Sequence, residues 1–213
     1  MNRLILLGLT AFLLGLGACA SPPVHYHTLF PVLEKPSSDQ APSRFLIDVL
    51  DVGIPAHLDR PQLVVRQGPA GIAAPDGERW AGPLNEELRN ALSAELVVRL
   101  KTQDISGLAA PARKPVLRLK VQIRRLDAWL DHEVRLDADW ALGFADEPGV
   151  RLVCSGRFDA PTPGGYPELV LGQQRLIAAL AERISADARN WDQGSDARYQ
   201  VSKPKPRRPA FDP

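Results

Sequence analysis

Three consecutive segments between residues 117 and 158 alternate apolar and polar residues with a period of two. The apolar positions are Leu117, Leu119, Val121 and Ile123, then Val134, Leu136, Ala138, Trp140, Leu142 and Phe144, then Val150, Leu152, Cys154 and Phe158. Successive side chains of a strand point to opposite faces, so this period predicts strands with one buried and one wet face. Other elements must therefore cover the apolar face.

The polar faces of the first two predicted strands carry opposite charges. Arg118, Lys120 and Arg124 lie on the first strand, and Asp137 and Asp139 lie on the second. Opposite charges paired across neighbouring strands contribute about 0.2–1 kcal/mol each. We interpret the pattern as setting the register of the sheet, with a charged binding surface as the alternative.

Two other segments repeat apolar residues every three or four positions, which is typical of amphipathic helices. The first begins near Pro83, since proline suits a first helical turn, and it carries Glu86 and Glu87 where the helix dipole favours negative charge. The second runs from about Tyr166 to Trp191. The two apolar stripes are Leu84, Leu88, Leu92, Leu96 and Leu100, and Leu169, Leu176, Leu180, Ile184 and Trp191.

Two shorter runs rich in apolar and β-branched residues, Phe45 to Val52 and Gln62 to Arg66, predict further strands ahead of the first helix. Glycines and prolines between residues 68 and 77 predict a loop. These elements together predict an α+β fold. We expect a two-layer domain with an antiparallel or mixed sheet of about five strands and two amphipathic helices packed on one face.

The first 18 residues have the composition of an export signal. Arg3 is followed by an uncharged apolar run and then by small residues ahead of Cys19. The run is shorter than the roughly 20 apolar residues that span a bilayer. Leu16-Gly17-Ala18-Cys19 resembles the lipobox of bacterial lipoproteins. The resemblance implies cleavage before Cys19 and covalent attachment of diacylglycerol and an N-acyl chain to it, and several acyl chains anchor a protein stably.

The remaining chain divides by composition. Residues 19–43 are rich in proline and predict a tether, in which His25 to Leu29 is a candidate edge strand. Residues 44–191 form the single predicted α+β domain. Residues 192–213 end in a basic, proline-rich run and are expected to be a disordered tail. The residue after Cys19 is Ala20 rather than aspartate, which by resemblance to enterobacterial sorting favours the outer membrane with the body in the periplasm.

No catalytic or cofactor motif is recognisable in the sequence. The chain has 26 Lys and Arg against 25 Asp and Glu, so it lacks the large net positive charge whose electrostatic field would attract nucleic acid. His25 and His27 lie in the predicted tether without a third ligand nearby, and His57 and His132 have no nucleophile beside them. We therefore predict no catalytic residues, no metal site and no cofactor other than the lipid on Cys19. Cys154 is interpreted as a small buried apolar residue.

Three segments resemble one family. They are Tyr26-His27-Thr28-Leu29, the run from Val52 to Arg66 that contains Leu58-Asp59-Arg60-Pro61-Gln62, and Arg79-Trp80-Ala81-Gly82-Pro83-Leu84. Their order is similar to that of the ABC-type transport auxiliary lipoproteins of the PqiC/YmbA type, over about residues 19–190. The resemblance implies a non-enzymatic outer-membrane lipoprotein of an MCE-type transport system for lipids or other hydrophobic molecules. Its implied partner is a periplasmic tunnel protein with MCE domains, and a homo-oligomer is also implied.

The candidate partner-binding residues are Leu58, Asp59, Arg60, Pro61 and Trp80. The functional interpretation is a rigid loop that presents Leu58 and Arg60, with Trp80 as an interface anchor. The structural interpretation is a turn shaped by Asp59 and Pro61, with Trp80 packed beside the helix start. An alternative function is a lipoprotein that anchors or activates a cell-wall enzyme, and a third is a periplasmic hydrolase.

Overall fold

The computed structural model describes residues 23–32, 41–109, 111, 114–147 and 149–202, with side chains to residue 192. It contains eight strands and two α-helices. The strands are β1 (His25–His27), β2 (Leu46–Val49), β3 (Val65–Gln67), β4 (Gly71–Ala73), β5 (Glu78–Trp80), β6 (Val116–Trp129), β7 (Glu133–Phe144) and β8 (Leu152–Pro161). The helices are α1 (Leu84–Leu100) and α2 (Tyr166–Ser202). The mixed α+β class predicted from the sequence is confirmed.

The main sheet has four strands in the order β2-β6-β7-β8. The three alternating segments become β6, β7 and β8, which pair antiparallel, while β2 pairs parallel with β6. The register places Leu119 opposite Leu142 and Trp140 opposite Cys154, so the apolar positions share one face. On the polar face, Arg124 Nε lies 2.7 Å from Asp139 Oδ2. The register pairs Asp139 with Gln122, and a bulge between Ile123 and Arg125 shifts the strand, so this ion pair is not between directly opposite residues.

Both helices pack on the apolar face of the sheet. Helix α1 contacts α2 and β2, and α2 contacts β7 and β8. The leucine stripe of α1 is buried along its whole length, from Leu84 to Leu100. Fully burying one leucine contributes about 1.5–3 kcal/mol, so this stripe is a main source of the helix's stability. Phe45 and Phe144 close the core with an edge-to-face contact of 5.9 Å between ring centroids.

The segment predicted as a loop between residues 68 and 77 contains more regular structure than expected. It holds β4, which pairs antiparallel with β3 to form a hairpin, and it leads into β5. The second predicted strand begins at Val65 rather than Gln62. The candidate edge strand becomes β1, which pairs parallel with β5. Strands of three residues are too short to show a period, so the sequence pattern missed β4 and β5.

The ordered body begins earlier than the predicted start at Arg44. Strand β1 and the fully buried Leu29 belong to it, although both fall in the predicted tether of residues 19–43. Helix α2 also continues to Ser202, beyond the predicted end at Trp191. The apolar stripe stops near Trp191, but no proline interrupts the helical hydrogen bonds before Pro204. The signal segment, Cys19 and the proline-rich end of the predicted tail lie outside the described residues.

Among the described residues, neither helix combines the length and apolarity that crossing a membrane requires.

Candidate functional site

The predicted partner-binding loop begins with a single turn of 3-10 helix, Ala56–Leu58. The N–H of Leu58 donates to the Pro55 carbonyl at 2.9 Å, and the N–H of Arg60 donates to the Leu58 carbonyl at 2.9 Å. These bonds direct the Leu58 side chain into the core, where it is 3 % exposed. The turn therefore has an apolar inner side, formed by Leu58, and a polar outer surface.

The loop then runs beside β5. The N–H of Trp80 donates to the Pro61 carbonyl at 2.8 Å, and the N–H of Leu63 donates to the Glu78 carbonyl at 2.9 Å. The Gln62 side chain donates to Asp76 at 3.1 Å. Backbone bonds at Pro61 and Leu63 thus fix the loop against the small β1–β5 sheet.

The structure separates the five predicted contact residues into two groups. Leu58 and Trp80 belong to the hydrophobic core, so neither side chain is offered to a partner in this structure. Asp59, Arg60 and Pro61 are exposed on the surface of the loop. The side chains of Asp59 and Arg60 form no hydrogen bond or ion pair with any described residue. These three residues remain the candidate contact surface, which we call the Asp59–Pro61 loop.

A carboxylate that sequence analysis did not single out holds β1 in place. Glu78 accepts from His25 Nδ1 at 3.0 Å and from His27 Nε2 at 2.6 Å. Burial raises the pKa of Glu78, but the hydrogen bonds from His27 and His25 outweigh it and leave the pKa below its usual 4.5. Both imidazoles face this carboxylate, and no cluster of the described His, Cys, Asp and Glu side chains is suited to a metal ion.

A second carboxylate secures the chain that follows β1. Glu87, in the first turn of α1, accepts from the Thr28 hydroxyl at 2.7 Å and from the Leu29 N–H at 2.8 Å. Gln174 of α2 donates to the Thr28 carbonyl at 3.0 Å. The sequence identified Glu87 only as a favourable charge for the helix dipole, because its partner is 58 residues away in the chain.

A polar cleft lies between β2, α1 and the loop around Ser106. It measures about 560 Å³ and is lined by Asp48, Val49, Leu50, Asp51, Arg89, Ser106, Gly107 and Lys120. Beneath it, Asp104 accepts from Ser93 at 2.6 Å and from Ser106 at 2.7 Å. Burial raises the pKa of Asp104, but these hydroxyl bonds, together with the N–H bonds from Ser106 and Val49, outweigh burial and lower the pKa. Ser106 thus donates to a structural carboxylate and has no imidazole beside it to act as a base.

The thiol of Cys154 lies against helix α2 and is partly rather than fully buried. Burial raises its pKa, and the carboxylate of Asp187 raises it further, so the thiol stays protonated. Asp187 also accepts from Trp140 Nε1 at 3.1 Å and lies 3.5 Å from Arg183 Nε. This polar contact between helix and sheet was not foreseen from the sequence.

Comparison with known proteins places the chain in a family. The model of the family described as ABC-type transport auxiliary lipoprotein component matches residues 27–185. Among curated proteins, no sequence matches the chain.

Two solved structures share the fold. A crystal structure of a protein described only as uncharacterized is 19% identical, covers 78% of this chain and 99% of its own, and superposes with a TM-score of 0.62. A DUF330 protein from Xanthomonas campestris is 13% identical, covers 81% of this chain and 99% of its own, and also has a TM-score of 0.62. The family match spans α1, the first part of α2, the main sheet and the Asp59–Pro61 loop. The chain therefore belongs to the ABC-type transport auxiliary lipoprotein component family.

Proposed function

We propose that this chain is a non-enzymatic lipoprotein, attached to the outer membrane through lipid on Cys19, that docks the MCE-domain tunnel protein of a lipid transport system. Membership of the transport auxiliary lipoprotein family carries the proposal. Within the described residues, the side chains that could react, such as Ser106 and Cys154, are engaged with structural carboxylates. A role in binding and positioning suits such a body better than turnover.

The Asp59–Pro61 loop is our candidate for the docking contact. Its backbone is fixed at Leu58 and Pro61, so little conformational entropy is lost when it binds. Asp59 and Arg60 present one charge of each sign, and neither side chain has a partner among the residues that the structure describes. Charged groups at the rim of an interface mainly set specificity and association rate, so substitution should weaken docking without unfolding the body.

Photocrosslinking in intact cells of the native host tests this role. A photoreactive residue at Arg60 should capture an MCE-domain protein, identified by mass spectrometry, whereas the same residue at the exposed Glu147 should not. Co-purification should fall in an Asp59→Ala, Arg60→Ala double variant. Leu58 is left unchanged because its side chain is in the core, and its loss would confound binding with stability.

The alternative function predicts that a different class of protein is crosslinked at Arg60. Recovery of peptidoglycan synthases or hydrolases at Arg60, without any MCE-domain protein, would overturn the transport role and favour an anchor or activator of a cell-wall enzyme. Equal capture of the tunnel protein at Arg60 and Glu147 would show that docking does not use the Asp59–Pro61 loop.

A further inference from the structure

Several elements meet at one end of the body. Gln174, early in α2, donates to Thr28 just after β1, and its neighbour Arg175 donates to the Pro161 carbonyl at the end of β8. The N–H of Thr162 donates to the His132 carbonyl in the β6–β7 turn at 2.9 Å. We call this region the anchor end. It consists of residues 23–32, which include β1, together with the β6–β7 turn, the β8–α2 connection and the first turns of α2.

The β3–β4 hairpin lies beside the anchor end. Arg66 of β3 forms an ion pair of 2.7 Å with Asp127, near the end of β6, and Arg125 approaches the same carboxylate at 3.4 Å. This pair holds the hairpin close to the β6–β7 turn. The hairpin therefore extends the surface of the anchor end.

Exposed apolar side chains are concentrated in this region. Of the eleven large hydrophobic residues exposed among those described, seven lie on the anchor end or the adjoining hairpin. They are Val24, Tyr26, Phe30, Val32, Ile72, Leu130 and Leu171. Tyr26 is 67% exposed, and Val32 is 96% exposed. Single exposed apolar residues need no explanation, but a concentration of them at one end of a body indicates an interaction surface.

The covalent chain restricts what this surface can meet. Residues 19 to 23 span at most about 14 Å even when fully extended, at roughly 3.3–3.6 Å per residue. Pro23 leads directly into β1, whose first N–H is bonded to the Gly77 carbonyl at 2.7 Å. A compact domain of this length has a radius of gyration of roughly 15 Å. The link is therefore shorter than the body is wide, and the body cannot turn its opposite end towards a lipid on Cys19.

We infer that the anchor end rests on the bilayer that holds the lipid of Cys19, with Tyr26, Phe30 and Leu171 inserted at the level of the lipid headgroups. The inference rests on the lipid attachment in the proposed function. Aromatic side chains such as Tyr26 suit this layer because their rings are apolar and their hydroxyls stay wet. The short link also gives the anchor end a high effective concentration at the bilayer surface, so a modest apolar surface is enough for contact with the lipids.

Charge does not drive this contact. The exposed charges of the anchor end have both signs, as in Asp131 of the β6–β7 turn, Arg135 at the start of β7 and Asp159 near the end of β8. Contact with phosphatidylcholine, whose headgroup is zwitterionic with no net charge, should therefore resemble contact with a membrane that also contains anionic lipid, and it should depend little on salt.

A pair of matched variants tests the orientation. The full lipidated protein, with Cys154 replaced by alanine, would be inserted into phosphatidylcholine vesicles that carry nitroxide quencher on the headgroup. An environment-sensitive fluorophore would be attached at Leu171→Cys or at Leu108→Cys, where Leu108 is an exposed leucine beside β2. We expect quenching severalfold stronger at position 171 than at position 108. A label at Tyr26→Cys should behave like the one at position 171.

Vesicle flotation separates this inference from the proposed function. Failure of the lipidated chain to float, with no difference from a Cys19→Ala chain, would overturn the lipid anchor and the inference that rests on it. Flotation with equal quenching at positions 171 and 108 would overturn the orientation alone. Shielding of position 171 in solution without vesicles, together with a doubled mass in light scattering, would overturn it in favour of a second copy covering the anchor end.

Discussion

Replacing Leu29 by alanine should destabilise the body strongly, although sequence composition places this residue in a tether. Its side chain is fully buried, and its N–H is bonded to Glu87. The substitution removes three carbon groups, which at about 0.8 kcal/mol each costs roughly 2.4 kcal/mol in transfer free energy. The cavity left behind adds to this cost, so we expect a loss of about 3–4 kcal/mol in the free energy of unfolding.

Urea denaturation followed by far-UV circular dichroism measures this loss, on a chain expressed from Ala20 onward. Val32→Ala is the matched control, because Val32 lies three residues away and is almost fully exposed. It should change the free energy of unfolding by less than about 0.5 kcal/mol. Equal, small effects of the two substitutions would mean that the chain after β1 does not pack on the body. That result would also remove the short link from which the membrane-facing orientation is argued.

Three further substitutions probe the contacts that hold the body together. Because the pKa of Glu78 is lowered in the fold, its ionised form stabilises the body above about pH 4.5, and this stability is lost as the pH falls through the lower pKa of the folded state. In Glu78→Gln, the free energy of unfolding, measured as a function of acidic pH, should therefore change less than in the wild type. Asp127→Asn should cost about 1–3 kcal/mol in urea denaturation, since it leaves the half-buried Arg66 without its charged partner, and a cost near zero would show that water replaces the pair. Trp140→Phe keeps the aromatic core but removes the donor to Asp187; thermal unfolding should show a loss of about 1.5–3 kcal/mol, and an unchanged midpoint would contradict that hydrogen bond.

The periodicity of apolar residues in the sequence was sufficient to predict the long strands and the helices. Strands β6 to β8 alternate over ten or more residues, and the leucine stripe of α1 covers the whole helix, so each pattern repeats often enough to define one buried face. From these patterns follow the α+β class and the placement of both helices on one side of the sheet. The fully buried leucines of α1 match the stripe residue by residue.

The resemblance to a lipobox and the resemblance to the family were likewise readable in the sequence, because both rest on short runs of residues that are contiguous in the chain. The match of residues 27–185 to the family of transport auxiliary lipoproteins confirms the resemblance. The docking role of the Asp59–Pro61 loop and the lipid on Cys19 remain predictions to be tested by the experiments above.

Tertiary structure decided which of the candidate residues face solvent. Leu58 and Trp80 sit in loop-like sequence, where nothing local distinguishes a core residue from an exposed anchor. Only the packing of the turn and of β5 against the sheet buries them. Likewise, β1 belongs to the body because Glu78 binds it and Glu87 binds the two residues that follow it, and both carboxylates are more than 50 residues away in the chain. A three-residue strand has too few local contacts to hold itself, so its place depends on partners that only the folded chain brings near.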